Sequence, residues 1–394
     1  MPADVTAPLP AAFARNRVTW MAYIALVSYA FYLYALGPVL AFLHSELHLS
    51  YTETSIHSTL WAAGTVAAGL GFHRLTRQLG RRRLFWISAA LTCAGGLLFV
   101  AGHVVAVTLV AAAVLGTGGS FLLTGTSALL ADNHHEWRDR ALIEANVGAS
   151  ATAVMAPVLL GFLATTEAGW RVGLLIPVAA LSCLYAVSRH WAVPVQAPRT
   201  QVASDIGMRE LWVPCLLVAL TVAIEFCIVF FGIQLLTGQT GLVTADAARV
   251  MGLFFGGELA GRVGGAALSR RPGRRRGLME TALLVSLGGF LVVWSSHVVA
   301  LSALGLFITG LGVANLYPVT LAMVLAAGRG QTDLAAARAQ LAVGVAVASA
   351  PLVLGALADG IGIRSAFAIE PVLIVIAAAL FGITAHGRRR RPSA

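Results

Sequence analysis

Glu225, Glu258 and Arg262 stand inside long apolar runs, where an ionisable side chain costs roughly 2.5–3.5 kcal/mol even on forgiving scales. Glu225 lies about 14 residues into the seventh such run, ~21 Å along a helix that rises 1.5 Å per residue. No basic residue lies within two turns of it on its own segment. Such an apolar setting favours the neutral carboxyl, the property proton coupling uses. Two readings are open: a proton-coupling or ligand-binding group, or a permanently protonated side chain bonded to a carbonyl or hydroxyl. Glu258 and Arg262 are four apart and share a helix face. They either neutralise each other or supply a proton site and a gate. Glu144 and Arg262 sit at comparable depths on the fifth and eighth runs, so a Glu144–Arg262 bridge is expected to close one side. Arg338 occupies the position equivalent to Glu144 in the second half, and Asn146 matches Gln340. Tyr29, Tyr32, His57, Asn315, Tyr317 and Gln340, with Glu225, form the polar and aromatic set suited to ligand contact, since rings stack on sugar faces or on planar drugs and amides bond sugar hydroxyls.

The elements that must carry these residues are membrane helices. The 394-residue chain is 58% hydrophobic and 11% charged, against roughly 25% charged for a soluble domain, and its mean hydropathy is +0.83. About 20 apolar residues cross a bilayer as a helix. Twelve such spans are predicted: 18–43, 54–75, 84–103, 105–131, 141–164, 170–192, 211–236, 247–268, 278–296, 299–327, 336–358 and 362–386. Pro38, Pro157, Pro318, Pro351 and Pro371 are expected to bend or loosen theirs.

The spans come in two copies. Residues 64–83 and 257–276 repeat one apolar, glycine-rich stretch that runs into arginines. Gly116-x-Gly118 returns as Gly310-x-Gly312, Ala156-Pro157 as Ala350-Pro351, and Gly169-Trp170-Arg171 as Gly362-Ile363-Arg364. Parallel repeats of this kind build secondary carriers. The division is an N-terminal bundle 1–192, a linker 193–210 and a C-terminal bundle 211–394.

The net charge of +10 resides in arginines that flank apolar runs on one side, which reads as a topology signal and not a nucleic-acid surface. That side is expected to be cytoplasmic, with both termini there, in the cytoplasmic membrane of a bacterium. Cys93, Cys183, Cys215 and Cys227 fall inside spans without metal-ligand spacing. His134-His135-Glu136 is a weak metal candidate, because adjacent histidines point apart on a helix. No phosphate loop or nucleophile–base motif is present, so neither ATP-driven transport nor an enzyme is expected, and no cofactor.

Twelve spans in two halves, with basic blocks after spans 2 and 8, resemble the major facilitator superfamily. Its loop motif Gly-x-x-x-Asp-Arg-x-Gly-Arg-Arg is similar to Gly80, Arg81 and Arg82, and to Gly273, Arg274 and Arg275 in the second copy. The motif's Asp position holds Arg77 and Arg270 instead. Ala223-Ile224-Glu225 and Asn315-Leu316-Tyr317-Pro318 resemble the fucose permease-like sugar:proton symporters, whereas the antiporter signatures of spans 4 and 5 are incomplete. The resemblance implies an all-α carrier of two pseudo-symmetric six-helix bundles that works by alternating access, as a monomer with protons and a small solute as partners. Proton-coupled uptake of a sugar-like metabolite is the first expectation. Efflux of a drug or secondary metabolite is the second, and a channel or receptor the third.

Overall fold

The computed structural model describes residues 13–134, 137–191, 208–269, 275–328 and 332–389, and it is helical throughout these. The first half comprises α1 (Arg17–Glu46), α2 (Tyr51–Leu79), α3 (Arg81–Ala101), α4 (Val105–His134), α5 (Arg138–Leu163) and α6 (Leu175–Ser188), the last preceded by a 3-10 helix, Trp170–Leu174. The second comprises α7 (Met208–Thr240), α8 (Thr244–Ser269), α9 (Arg275–Ser295), α10 (Val299–Val313), α11 (Leu316–Ala327), α12 (Thr332–Ile361), the single turn α13 (Ile363–Ala366) and α14 (Ile369–Arg389). Twelve passes result, as α10 and α11 share one pass and α13 and α14 another. Ten segments are long and apolar enough to cross a membrane by composition alone. The other two passes, α2 and α8, carry more polar and small side chains. Leu284 and Ile383 are each 70% exposed, a surface that hydrocarbon solvates.

Local chemistry sets the element ends. Ser50 and Glu53 form a capping box at the start of α2, with Glu53 N–H donating to Ser50 Oγ at 3.0 Å and Ser50 N–H to Glu53 Oε2 at 2.8 Å. Gly80 turns the chain from α2 into α3 at φ +77°, a conformation side chains resist. Pro318 lacks the N–H that would bond Ala314, and the tenth pass breaks at Ala314–Asn315. Pro38, Pro157 and Pro351 lie within continuous helices, and Pro371 sits in the first turn of α14, where it begins a helix and does not bend one. Of the expected linker 193–210, residues 193–207 lie outside the described residues, and 208–210 already belong to α7.

The repeat is structural. α2 packs on α4 and α3 on α4, as α8 packs on α10 and α9 on α10. A Cβ on Gly116 would meet the Trp61 backbone, and one on Gly310 would meet the equivalent Phe254 backbone. Gly118 abuts Thr92 N and Gly312 abuts Ser286 N in the same way. These are the close approaches that small residues permit between helices in lipid. The ends opposite the arginine blocks match as well. Arg171 bonds Glu46 at 2.5 Å beside His103, and Arg364 bonds His297 at 3.1 Å beside Gln239, whose carbonyl contacts the His297 ring.

The halves meet along two symmetry-related seams, α2 with α12 and α5 with α8, and α1 crosses α7 between them. Asp359 on α12 accepts the N–H groups of Tyr51 and Thr52 at 2.7 and 2.9 Å, capping α2 of the other half. Thr59 donates to the Ala348 carbonyl at 2.8 Å, Arg249 to Thr165 at 2.8 Å, and Arg262 to Ser150 at 3.1 Å. These hydrogen bonds between the halves lie at mid-depth or toward the end opposite the arginine blocks.

Candidate functional site

Where α1, α5, α7, α8 and α11 converge, Tyr34, Ser150, Glu225, Glu258, Arg262 and Tyr317 come together. Helix α8 presents Glu258 and Arg262 one turn apart, and the two side chains are bonded as their spacing implies. Glu258 is 2% exposed, whereas the Arg262 side chain is 37% exposed. Arg262 thus bridges a sealed carboxylate and open space, and its second arm reaches Ser150 on α5 of the first half. Glu225 is half-buried at mid-span of α7 and has no hydrogen-bond partner among the described residues. It is within electrostatic reach of Glu258, Arg262 and Tyr317. Its cation comes from another helix, which inspection of its own segment did not reveal.

Tyr34 is the residue sequence reasoning missed. Its ring packs edge-on against Phe255 on α8 at 5.2 Å, and it lies within reach of Glu225, Glu258 and Arg262. The signal was Gly37, three residues on. A Cβ there would strike the Val229 carbonyl, so the face of α1 bearing Tyr34 and Gly37 is the one toward α7.

Tyr29 and Tyr32 take the other faces of α1 and belong to the first bundle. The Tyr29 ring stacks on Trp61 at 6.1 Å against Gly119, and the Tyr32 hydroxyl donates to the Leu174 carbonyl at 2.8 Å. His57 is fully buried, with one ring nitrogen on the Glu53 carbonyl at 2.9 Å and the other on Thr108 at 2.8 Å. The structure therefore does not bring these three to the central cluster, because intrabundle partners already satisfy or enclose them. Asn315 donates to the Gly261 carbonyl at 2.8 Å and lines a pocket of about 560 Å³ among α8, α9 and α10, behind the cluster. Gln340 is exposed on α12.

The expected Glu144–Arg262 bridge is not formed, which corrects that pairing. Glu144 accepts from Arg15 at 2.8 and 2.9 Å, from Arg140 at 3.3 Å and from the Tyr23 hydroxyl at 3.1 Å. It ties the segment before α1 to α5. The α5 residue that meets Arg262 is Ser150, six positions further on, which is ~9 Å along a helix. Asn146 is exposed and bonds the Leu142 carbonyl at 2.8 Å. Arg338 lines a groove between α7 and α12 with Trp212 and Cys215.

At the loop motif, Arg81 bonds Asp132 on α4 at 2.5 Å. An acid from another helix of the same bundle thus takes the place of the one missing at Arg77. Arg82 is exposed. Gly273, Arg274 and the side chain of Arg275 lie outside the described residues, as do His135 and Glu136 of the metal candidate.

A family model described as Major Facilitator Superfamily matches residues 22–300 and again 215–394. A glucose/galactose transporter of Brucella abortus biovar 1 (strain 9-941) is 28% identical over 249 residues, 62% of this chain and 56% of that protein. The chain therefore spans little more than half the length of that relative. Among solved structures, a bacterial homolog of the human lysosomal transporter Spinster, inward-facing and occupied, superposes with TM-score 0.78 at 13% identity, over 96% of this chain and 97% of that one. The POT family transporter PepTSo gives TM-score 0.75 at 11% identity, over 95% and 99%. At such identities these two likenesses bear on the fold alone.

Proposed function

Since the chain belongs to the Major Facilitator Superfamily, we propose that it is a proton-coupled carrier that takes up a small polar, sugar-like solute by alternating access. One observation carries this reading: two carboxyls, Glu225 and Glu258, lie within electrostatic reach of one guanidinium, Arg262, which bonds Glu258 and reaches Ser150 of the other half. Two acids facing one base leave a surplus negative charge in a low-dielectric setting unless one acid holds a proton. Glu258 is sealed and bonded, so Glu225, half-buried and unpartnered, is the acid that exchanges the proton. Its release leaves a carboxylate competing with Glu258 for Arg262, and Arg262 is also what holds Ser150 of the opposite half. Proton occupancy thereby biases the contact between the halves.

Tyr34 and Tyr317 flank the cluster with a ring and a hydroxyl each, which suits the faces and edges of a sugar. The sugar transporter relative supports that cargo class, and the residue pattern around Glu225 agrees with it. With seam contacts gathered away from the arginine blocks, and those blocks on the cytoplasmic side by the charge rule, the conformation is closed to the outside. Both termini are then cytoplasmic, in the cytoplasmic membrane.

The test is a panel of sugars added to proteoliposomes loaded with a pH-sensitive dye. A cargo sugar should acidify the lumen in the parent protein and leave it unchanged in Glu225→Gln, which should still exchange labelled for unlabelled sugar. Acidification that persists in Glu225→Gln would remove that residue from the coupling role. Alkalinisation on addition of a quaternary ammonium dye, absent in protein-free liposomes, would instead favour the efflux reading.

A further inference from the structure

At the arginine-rich end of the first half, α3 and α6 diverge around a pocket of about 520 Å³ lined by Arg82, Arg83, Trp86, Ile87, Tyr185, Arg189 and His190. Trp86, Ile87 and Tyr185 also border a second cavity of about 530 Å³, which runs along the same two helices past Ala90, Cys93, Ala94 and Leu181. The first is basic and the second apolar, and they share a wall. Neither belongs to the central cluster, and the carrier cycle above uses neither.

The basic pocket has unspent charge. Arg81, its neighbour in sequence, is neutralised by Asp132, whereas Arg82, Arg83 and Arg189 are exposed and no described acid lines the pocket. Arg189 donates its Nε to His190 Nε2 at 3.0 Å and stands 6.0 Å from the Tyr185 ring centre, so its two terminal amino groups are left over. Trp86 meets Tyr185 edge-on at 5.1 Å, forming an aromatic floor between the basic and apolar parts. Isolated arginines and aromatics at a membrane interface are ordinary anchors. Here they line a concave site whose apolar extension follows the helices into hydrocarbon.

We propose that this cleft is a binding site for an anionic phospholipid of the adjoining leaflet. Its phosphate sits among Arg82, Arg83 and Arg189, its glycerol region lies over Trp86 and Tyr185, and one acyl chain fills the α3–α6 groove. Guanidinium groups suit phosphate through paired, charge-assisted hydrogen bonds, and basic pockets between membrane helices recognise anionic headgroups. The bound lipid would splint α3 to α6 on the outside of the first bundle.

Native mass spectrometry of the detergent-purified protein, titrated with phosphatidylglycerol or with phosphatidylcholine, tests this. The parent protein should retain phosphatidylglycerol preferentially. Arg82→Gln with Arg189→Gln should weaken that retention roughly tenfold or more. Arg74→Gln with Arg77→Gln removes equal charge from exposed positions outside the pocket and should change it little. Ala90→Trp, which fills the groove and keeps every arginine, should also weaken it. Equal retention of both lipids, equal loss in the two double variants, or undiminished retention in Ala90→Trp would each overturn the proposal.

Discussion

Arg262 answers to three partners at once, and this makes it the residue whose removal should be felt most. Replacing it by Gln strands Glu258, which is 2% exposed, as a buried acid without its base. Breaking a buried pair from one side costs about 3–5 kcal/mol. Arg262→Gln should therefore lower the melting temperature in detergent sharply, and Glu258→Gln added to it should restore much of the loss. A double variant as unstable as the single one would mean that the pair contributes packing and little electrostatics. At this scale the sequence was only partly legible. The spacing of Glu258 and Arg262 announced their bond, because partners four apart on one helix need no fold to meet. Ser150 and Asp132 gave no such signal, since each is defined by a helix distant in sequence. The Glu144–Arg262 pairing failed for a related reason: depth along a helix can be counted, but the rotation that aims a side chain at one neighbour cannot.

The elements are held by close backbone approach along some seams and by capping along others. Gly289 touches the Thr309 backbone, whereas a Cβ on Gly288 would meet nothing within 4 Å. Gly289→Ala should then destabilise the second bundle by about 1–3 kcal/mol, the usual cost of overpacking, while Gly288→Ala should be near neutral. Thermal unfolding of the two variants compares them directly, and equal melting temperatures would refute the tight α9–α10 contact. Asp359 caps α2 across the halves. Asp359→Ala should loosen that closure by about 1 kcal/mol, the worth of a helix cap, or roughly fivefold in population. In a background lacking the four native cysteines, Ser55→Cys, a buried position against Gly355, should then react roughly fivefold faster with an impermeant thiol reagent added from that side. An unchanged rate would show that the cap does not hold the seam. The helices themselves were legible in the sequence because lipid leaves no other backbone arrangement. The break at Ala314–Asn315 was less so: Pro318 marks the pass but not whether it bends or parts, which depends on neighbours such as Gly261 on α8, whose carbonyl accepts from Asn315.

For the whole molecule, the repeat visible as Gly116 and Gly310 becomes a pair of bundles whose seams exchange under a pseudo-twofold, α2 with α12 and α5 with α8. That symmetry was legible because glycines at backbone crossings have no substitute. The side on which the seams are tied was not, since one sequence must serve both closures of a carrier. Alternating access requires the contacts to pass from one end to the other as the central site changes its load. Distances between spin-label pairs test this most directly, one pair at Glu167 and Val298 on the tied end and one at Gln78 and Ala326 on the arginine-rich end. On moving from acidic to alkaline pH with a transported sugar present, the two distances should change in opposite senses, one lengthening as the other shortens, and Glu225→Gln should abolish the pH response. Distances that stay fixed, or that lengthen together, would contradict a carrier built from two rocking halves.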